Sequence, residues 1–250
     1  MTATVSGGWL EIVPHARGAA DVVVAPSGGG DPASARVVVR AAIGTFGIDI
    51  VMDRPAPVSY ERELMAAADW WSSALDGTEW PDRRPDCFND LATALADELL
   101  IYARIDPELP GGGYANPCFR DAGEQAALAL DPGGGMVSVG PGGGVFRLVW
   151  HEMAHLLGLV LWASWAPEPD PDLVTQDGEY FIGPRAVTAF RESGGDPGLP
   201  GVPIAADRIH WSEGVRDAFG FHPSGETIVS VAALADAGYT VQMSKATPVY

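Results

Sequence analysis

Residues 145 to 157, reading Val-Phe-Arg-Leu-Val-Trp-His-Glu-Met-Ala-His-Leu-Leu, constrain the chain more than any other stretch. The run is apolar on most sides and ends at Gly158, the residue type that best tolerates the left-handed backbone closing a helix. The pattern predicts a buried helix over Val145 to Leu157. His151 and His155 are four apart, so on that helix they lie on one face, one turn apart, and can share a tetrahedral metal. Glu152 sits beside the first of them and need not be a ligand; it can act as general base toward a zinc-activated water. Zinc lowers the pKa of such a water to about 7. The chain holds five histidines, and two of them fall at this spacing with a glutamate between them. A charged Glu152 among Val149, Trp150, Leu156 and Leu157 needs a reason, because an unpaired buried charge is costly.

A catalytic zinc requires a third protein ligand. Gly158 extends the pattern to H-E-x-x-H-x-x-G, and in metzincins a third histidine follows three residues later. Here that position is Leu161. The remaining candidates are His210, His222, His15, and the carboxylates Glu168 and Glu179.

The rest of the chain reads as α+β. Val22 to Val24, Val37 to Val39 and Phe46 to Met52 are short β-type runs. Tyr60, Leu64, Ala67, Ala68, Trp71 and Leu75 recur at helical spacing behind a cap at Ser59. A second helix is expected over Leu91 to Leu100, and strands over Glu98 to Ile105, Ala126 to Leu130 and Met136 to Val139. Short helices follow at Pro184 to Glu192, with proline in first position, and at Ser230 to Ala237, closed by Gly238. Between these lie glycine- and proline-rich loops, built from 31 glycines and 21 prolines. Trp70 and Trp71 read as core. Asp170, Asp172, Asp177 and Glu179 read as a solvated acidic loop, since their spacing is not that of a calcium loop.

A formal net charge of −18 disfavours phosphate backbones and anionic lipid surfaces, so nucleic acid is not an expected partner. No apolar run reaches membrane-spanning length. Residues 1 to 10 lack the basic and apolar regions of a secretory signal, which reads as cytoplasmic as written and secreted if a signal was removed. Cys87 and Cys118 are too few to form a disulfide framework, and neither has a metal-ligand neighbour.

Taken with the segments around it, the motif resembles the leishmanolysin-like zinc metallopeptidases, a metzincin family, and their bacterial members in particular. Val149 to Gly158 with Leu161-Trp162 is similar to the family's active-site helix and following turn. Asp97 to Arg104 is similar to its central strand, and Gly111 to Cys118 to its glycine-rich loop. Tyr180 to Pro184, Ala186 to Phe190 and Val202-Pro203 are similar to the insertion before the third histidine, which arrives as His210-Trp211. Val229 to Val241 is similar to the closing helix.

The resemblance covers residues 44 to 250. It implies a zincin catalytic domain with an N-terminal twisted sheet, two long helices and an irregular C-terminal subdomain. Residues 44–158 would form the N-terminal catalytic subdomain and 159–250 the C-terminal one, supplying the third zinc ligand; residues 1–43 match no part of the family and read as a β-rich segment of unknown role, a pro-segment, a separate module or part of the core. It further implies Zn2+ held by His151, His155 and His210, Glu152 as the catalytic base, and a protein or peptide substrate cleaved internally. The strand over Met136 to Val139 is expected to receive that substrate by strand addition. The family carries a methionine turn after its third histidine. Residues 213–221 hold no methionine, and Phe219 or Phe221 stands in its place. That departure motivates a second reading, a zinc-stabilised binding module with impaired catalysis.

Overall fold

The computed structural model of the protein describes residues 2–6, 9–13, 18–24, 33–39, 46–52, 57–78, 99–106, 108–109, 112–117, 135–140, 145–159 and 170–249. The expected helix over Leu91 to Leu100, apart from its last two residues, the strand over Ala126 to Leu130, both cysteines, His15 and Glu168 lie outside these. In chain order the strands are β1 (Thr2–Ser6), β2 (Trp9–Val13), β3 (Gly18–Val24), β4 (Ala33–Val39), β5 (Ile48–Met52), β6 (Leu75–Thr78), β7 (Leu99–Ile105), β8 (Gly113–Pro117), β9 (Gly135–Val139), β10 (Tyr180–Phe181), β11 (Val202–Pro203) and β12 (Tyr239–Val241). The helices are α1 (Val58–Ala74), α2 (Val145–Leu156), α3 (Pro184–Glu192) and α4 (Ile228–Asp236). The mixture of strands and four helices among the described residues is α+β.

The largest sheet has six strands in the order β3-β4-β5-β7-β9-β8. Its centre, β5-β7-β9, is parallel, while β8 runs antiparallel at the edge. Pairing of β4 with β5 carries the sheet across residue 43, so the β-rich first segment continues into the central sheet. Along β5, β7 and β9 every second residue is buried: Ile48, Ile50 and Met52; Leu99, Ile101 and Ala103; Val137 and Val139. This period-two alternation turns one face of the sheet toward the core shared with α1 and α2. The strand expected to receive substrate, Met136 to Val139, is an interior strand: β7 occupies one side of β9 and β8 the other. The expectation is corrected, because a strand paired on both sides has no backbone groups left to offer; among the described residues the edge on this side of the sheet is β8.

Helix α1 begins at Val58 rather than behind a Ser59 cap. The Pro57 carbonyl accepts from the Tyr60 and Glu61 N–H groups, and no side chain caps this end. Proline already has the φ the entry requires, −56°, so Ser59 falls inside the first turn. Helices α1 and α2 meet through Trp71 and Trp150, whose rings stack at 4.9 Å and 14°, and the Trp71 indole N–H donates to the Trp150 carbonyl at 3.1 Å. Such an aromatic pair contributes roughly 0.5–1.5 kcal/mol beyond its buried area.

The end of α2 is set by Gly158, at φ 86°. Its N–H bonds the His155 carbonyl at 2.9 Å and the Leu159 N–H bonds the Ala154 carbonyl at 3.0 Å. That pair of bonds is the Schellman closure, which a side chain at φ > 0 would strain. Beyond it, α3 packs on α4, and β12 returns to pair with β6 at the end of α1. The Tyr239 hydroxyl donates to the Leu157 carbonyl at 2.9 Å, tying the closing segment to the last turn of α2.

Candidate metal centre

Helix α2 holds His151 and His155 one turn apart, with ring centroids 5.0 Å from each other. Both rings are buried, a consequence of the apolar face that seats this helix under the sheet. A third imidazole, His210, comes from a loop 59 residues away from His151, and its Nε2 lies 3.0 Å from His151 Nε2. One ring nitrogen from each of the three lies within 4.8 Å of the others. For comparison, two nitrogens on one tetrahedral zinc at ~2.0–2.1 Å are about 3.3 Å apart.

The loop that delivers His210 is built by short-range bonds. Ile204 bridges to Trp211, and the Ala205 N–H donates to the His210 carbonyl at 2.8 Å. Asp207 Oδ1 accepts from the Ile209 N–H at 3.0 Å, and its Oδ2 lies 2.7 Å from His210 Nδ1. Partial burial raises the Asp207 carboxyl, and the bonds from His210 and the Ile209 N–H outweigh it, leaving the pKa below the ordinary aspartate value. An ionised carboxylate only accepts, so His210 Nδ1 must be the donor. A neutral imidazole protonated at Nδ1 presents its lone pair at Nε2, toward the other two histidines.

Burial drives the pKa of His151 well below the ordinary histidine value, and the neighbouring His155, His210 and Arg147 add to it. Burial and His210 bring His155 down to about 3. Both rings are therefore neutral near pH 7 and keep the lone pairs that ligation requires. His151 Nδ1 is a buried polar atom with no hydrogen-bond partner among the described residues. Two buried imidazoles held neutral, with the Nε2 atoms of His151 and His210 aimed at each other at 3.0 Å and a nitrogen of His155 beside them, fit a metal ion. Imidazole donors suit zinc, copper, iron and nickel.

Glu152, 5% exposed, points to the sheet edge. Its carboxyl is pushed up to about 7 by burial, against which the Ala115 N–H of β8 donates a stabilising hydrogen bond. The approach of β8 is close: a Cβ at Gly113 would meet Glu152 Oε1 at 2.9 Å and Leu148 Cγ at 3.1 Å. A side chain there would have to displace the Glu152 carboxylate and the Leu148 side chain, so glycine at 113 leaves Glu152 its place by contact rather than by backbone angle.

Below the histidines lies a turn at Ala218–Gly220. Phe219 in it is fully buried, 4.8 Å from the His151 ring and 4.8 Å from the His155 ring. The turn is held by Asp217, which is buried and accepts from the Phe219 N–H at 3.0 Å, the Ser230 N–H at 2.9 Å and the Ser230 hydroxyl at 2.6 Å. An indole N–H can only donate, so the bond from Trp211 Nε1 to Ser230 Oγ at 3.0 Å commits that hydroxyl to donate onward to Asp217. Burial raises Asp217 to about 6 and these donors oppose it, leaving the carboxylate charged at neutral pH.

The structure thus brings His151, His155 and His210 together and leaves the other described candidates outside. His222 Nδ1 pairs with Ser224 Oγ at 2.9 Å, and Glu179 belongs to a turn in which its N–H donates to Asp177. Sequence reasoning missed Asp207, Asp217, Gly113 and Ala115. A carboxylate three residues before a candidate ligand histidine was the available signal for Asp207. The others act only through tertiary contact.

Two non-glycine residues among those described have positive φ, Arg208 at 64° and Phe221 at 59°. One lies two residues before His210, the other two residues after Phe219. Backbone strain concentrated around a single cluster is the pattern of a functional site. No protein-family model matches the chain, and no curated protein or solved structure matches it either.

Proposed function

We propose that the protein is a zinc-dependent endopeptidase, with zinc held by His151, His155 and His210 and with Glu152 as the general base. The observation that carries this reading is the convergence of three imidazoles, two from α2 and one from a distant loop, on the helix that also carries the buried Glu152. When bound there, zinc supplies Lewis acidity toward a carbonyl oxygen and lowers the pKa of a water to about 7. Glu152 takes the proton of the attacking water and returns it to the leaving amine. In the metal-free protein burial raises the proton affinity of this carboxyl, the direction that a group which must both take and return a proton requires. Asp207 orients His210 through Nδ1. Strand addition by an extended peptide at the edge strand β8 would use backbone groups other than the Ala115 N–H, which Glu152 already accepts. The resemblance to leishmanolysin-like enzymes agrees with this assignment of roles.

A second reading, the zinc-stabilised module without turnover, is favoured by one observation: the buried place under the histidines is filled by Phe219 and not by methionine. Zinc analysis and casein hydrolysis on the wild type and on Glu152→Gln separate the two. The expected result is about one zinc per chain in both proteins, with cleavage by the wild type alone. Zinc without cleavage in either protein favours the module. A wild type that takes up no zinc removes the basis of both.

A further inference from the structure

Trp211 follows the third histidine directly and is buried, although His210 and the loop before it are partly open to solvent. Its ring meets Phe181 at 5.8 Å and Phe219 at 6.4 Å, both edge to face. Its backbone is clasped by the turn below: a Cβ at Gly220 would come within 3.0 Å of Trp211 Cβ and 3.1 Å of the Trp211 carbonyl oxygen. The ring contacts are apolar and tolerate small rotations. The directional contact is the indole N–H bond to Ser230 Oγ at 3.0 Å. The backbone bonds around His210 run to Pro203 and Ala205 and so close the loop on β11 and on itself. The bond to Ser230 ties the loop to a helix.

Ser230 is itself fixed. It stands in the first turn of α4, whose entry residue Thr227 gives no side-chain cap; the Thr227 hydroxyl donates to the Thr247 carbonyl instead. The cap comes from another element. Asp217 accepts the Ser230 N–H at 2.9 Å with one oxygen and the Ser230 hydroxyl at 2.6 Å with the other. A carboxylate is favoured at a helix N-terminus, where it meets free N–H groups. With its proton committed to Asp217, the hydroxyl turns a lone pair to Trp211. Asp217 also holds the turn from which Phe219 packs against all three imidazoles, at 4.8 Å from His151, 4.8 Å from His155 and 5.6 Å from His210. The path Trp211, Ser230, Asp217, Phe219 therefore leaves the histidine cluster at His210 and returns to it from below.

Resting on the metal-binding part of the reading above, we propose that Ser230 is a positioning residue of the metal centre: its hydroxyl fixes the Trp211 indole, and through it the place from which His210 presents Nε2 to His151 and His155.

The test reads metal affinity in Ser230→Ala, Trp211→Phe and the double variant. Zinc is measured by chelator competition, and cobalt(II) loaded in its place reports ligand geometry through its visible absorption bands. Each single variant is expected to weaken zinc by about tenfold, the lower end of what loss of a ligand-orienting partner costs, and to shift the cobalt bands. Trp211→Phe also removes ring area, so the double variant isolates the bond. If the bond carries the effect, the double variant loses no more than the weaker-binding single one. Losses that multiply to about a hundredfold in the double variant overturn the proposal, because the two side chains then act independently. So does a folded Ser230→Ala protein with wild-type zinc affinity and unchanged cobalt bands.

Should Ser230→Ala not fold without metal, Gly220→Ala takes its place. It displaces Trp211 by contact and keeps every hydrogen-bonding group. Weaker zinc and shifted cobalt bands in Gly220→Ala and Trp211→Phe support the proposal, and wild-type affinity in both refutes it. None of these readouts uses turnover. A wild type that binds zinc and cleaves nothing removes the peptidase reading and leaves this test in force; a wild type that binds no zinc removes the metal centre and the proposal together.

Discussion

Asp207 acts on the candidate metal centre through His210. Its two oxygens have separate tasks, one holding the Ile209 N–H and the other His210 Nδ1 at 2.7 Å. With half of its side-chain surface exposed, 49%, Asp207 contributes little to burial, so its removal should cost ligation more than folding. We expect Asp207→Ala to weaken zinc binding by about 10- to 100-fold in chelator competition. Asp207→Asn keeps an oxygen for the imidazole and should recover part of that loss. Equal affinity in all three proteins would show that His210 is oriented by its loop alone.

At the scale of elements, the turn at Ala218–Gly220 and helix α4 are coupled by one side chain. Asp217 collects donors from the turn, through Phe219, and from α4, through Ser230. Asp217→Ala would leave those donors buried and unsatisfied. Each such group costs about 1–3 kcal/mol, so we expect a loss of about 3 kcal/mol in denaturant unfolding. Zinc affinity should fall with it, since Phe219 packs on His151 and His155 from this turn. A variant that loses stability but binds zinc as the wild type does would uncouple the turn from the site. On the opposite side, β8 defines the wall beside Glu152.

For the whole molecule, the buried residues of β5, α1, β7, β9, α2, α3 and α4 belong to one hydrophobic cluster. A local change in proton affinity is therefore read in global unfolding. Glu152 has a folded pKa of about 7, against 4.5 for the free group, because burial disfavours its charge. The sign follows from proton binding. Between these values the folded chain holds a proton that the unfolded chain has lost, so stability falls as pH rises from about 4.5 to about 7. Glu152→Gln does not titrate. In metal-free protein the variant should gain about 3 kcal/mol on the wild type between pH 4.5 and pH 8. Thermal or denaturant unfolding of both proteins at those two pH values checks this, and a constant difference would mean that Glu152 is solvated in the native state.

Local pattern was enough for α2, because an apolar 3.6-residue stripe and a glycine at φ 86° leave few alternatives. The same holds for β5, whose alternation survives into the fold, and for α3, which begins at Pro184 and ends at Glu192 as its residues suggest. His151, Glu152 and His155 were legible for the same reason: their relation is set within one turn of one helix. The place of His210 beside them was decided by the loop at Ile204 to Trp211 folding back on α2, and spacing along the chain carries no information about a contact 59 residues away. Which strand lies at the sheet edge was likewise a matter of tertiary pairing. Met136 to Val139 has the composition of a strand, but only the order β7-β9-β8 makes it interior. Asp217, Gly113 and Ser230 acquire their roles from neighbours that the chain supplies from other elements. The sequence by itself determined the helix and the two histidines on it, through periodicity. The tertiary structure decided the third histidine, the floor beneath it and the open edge beside it, through contacts that periodicity does not encode.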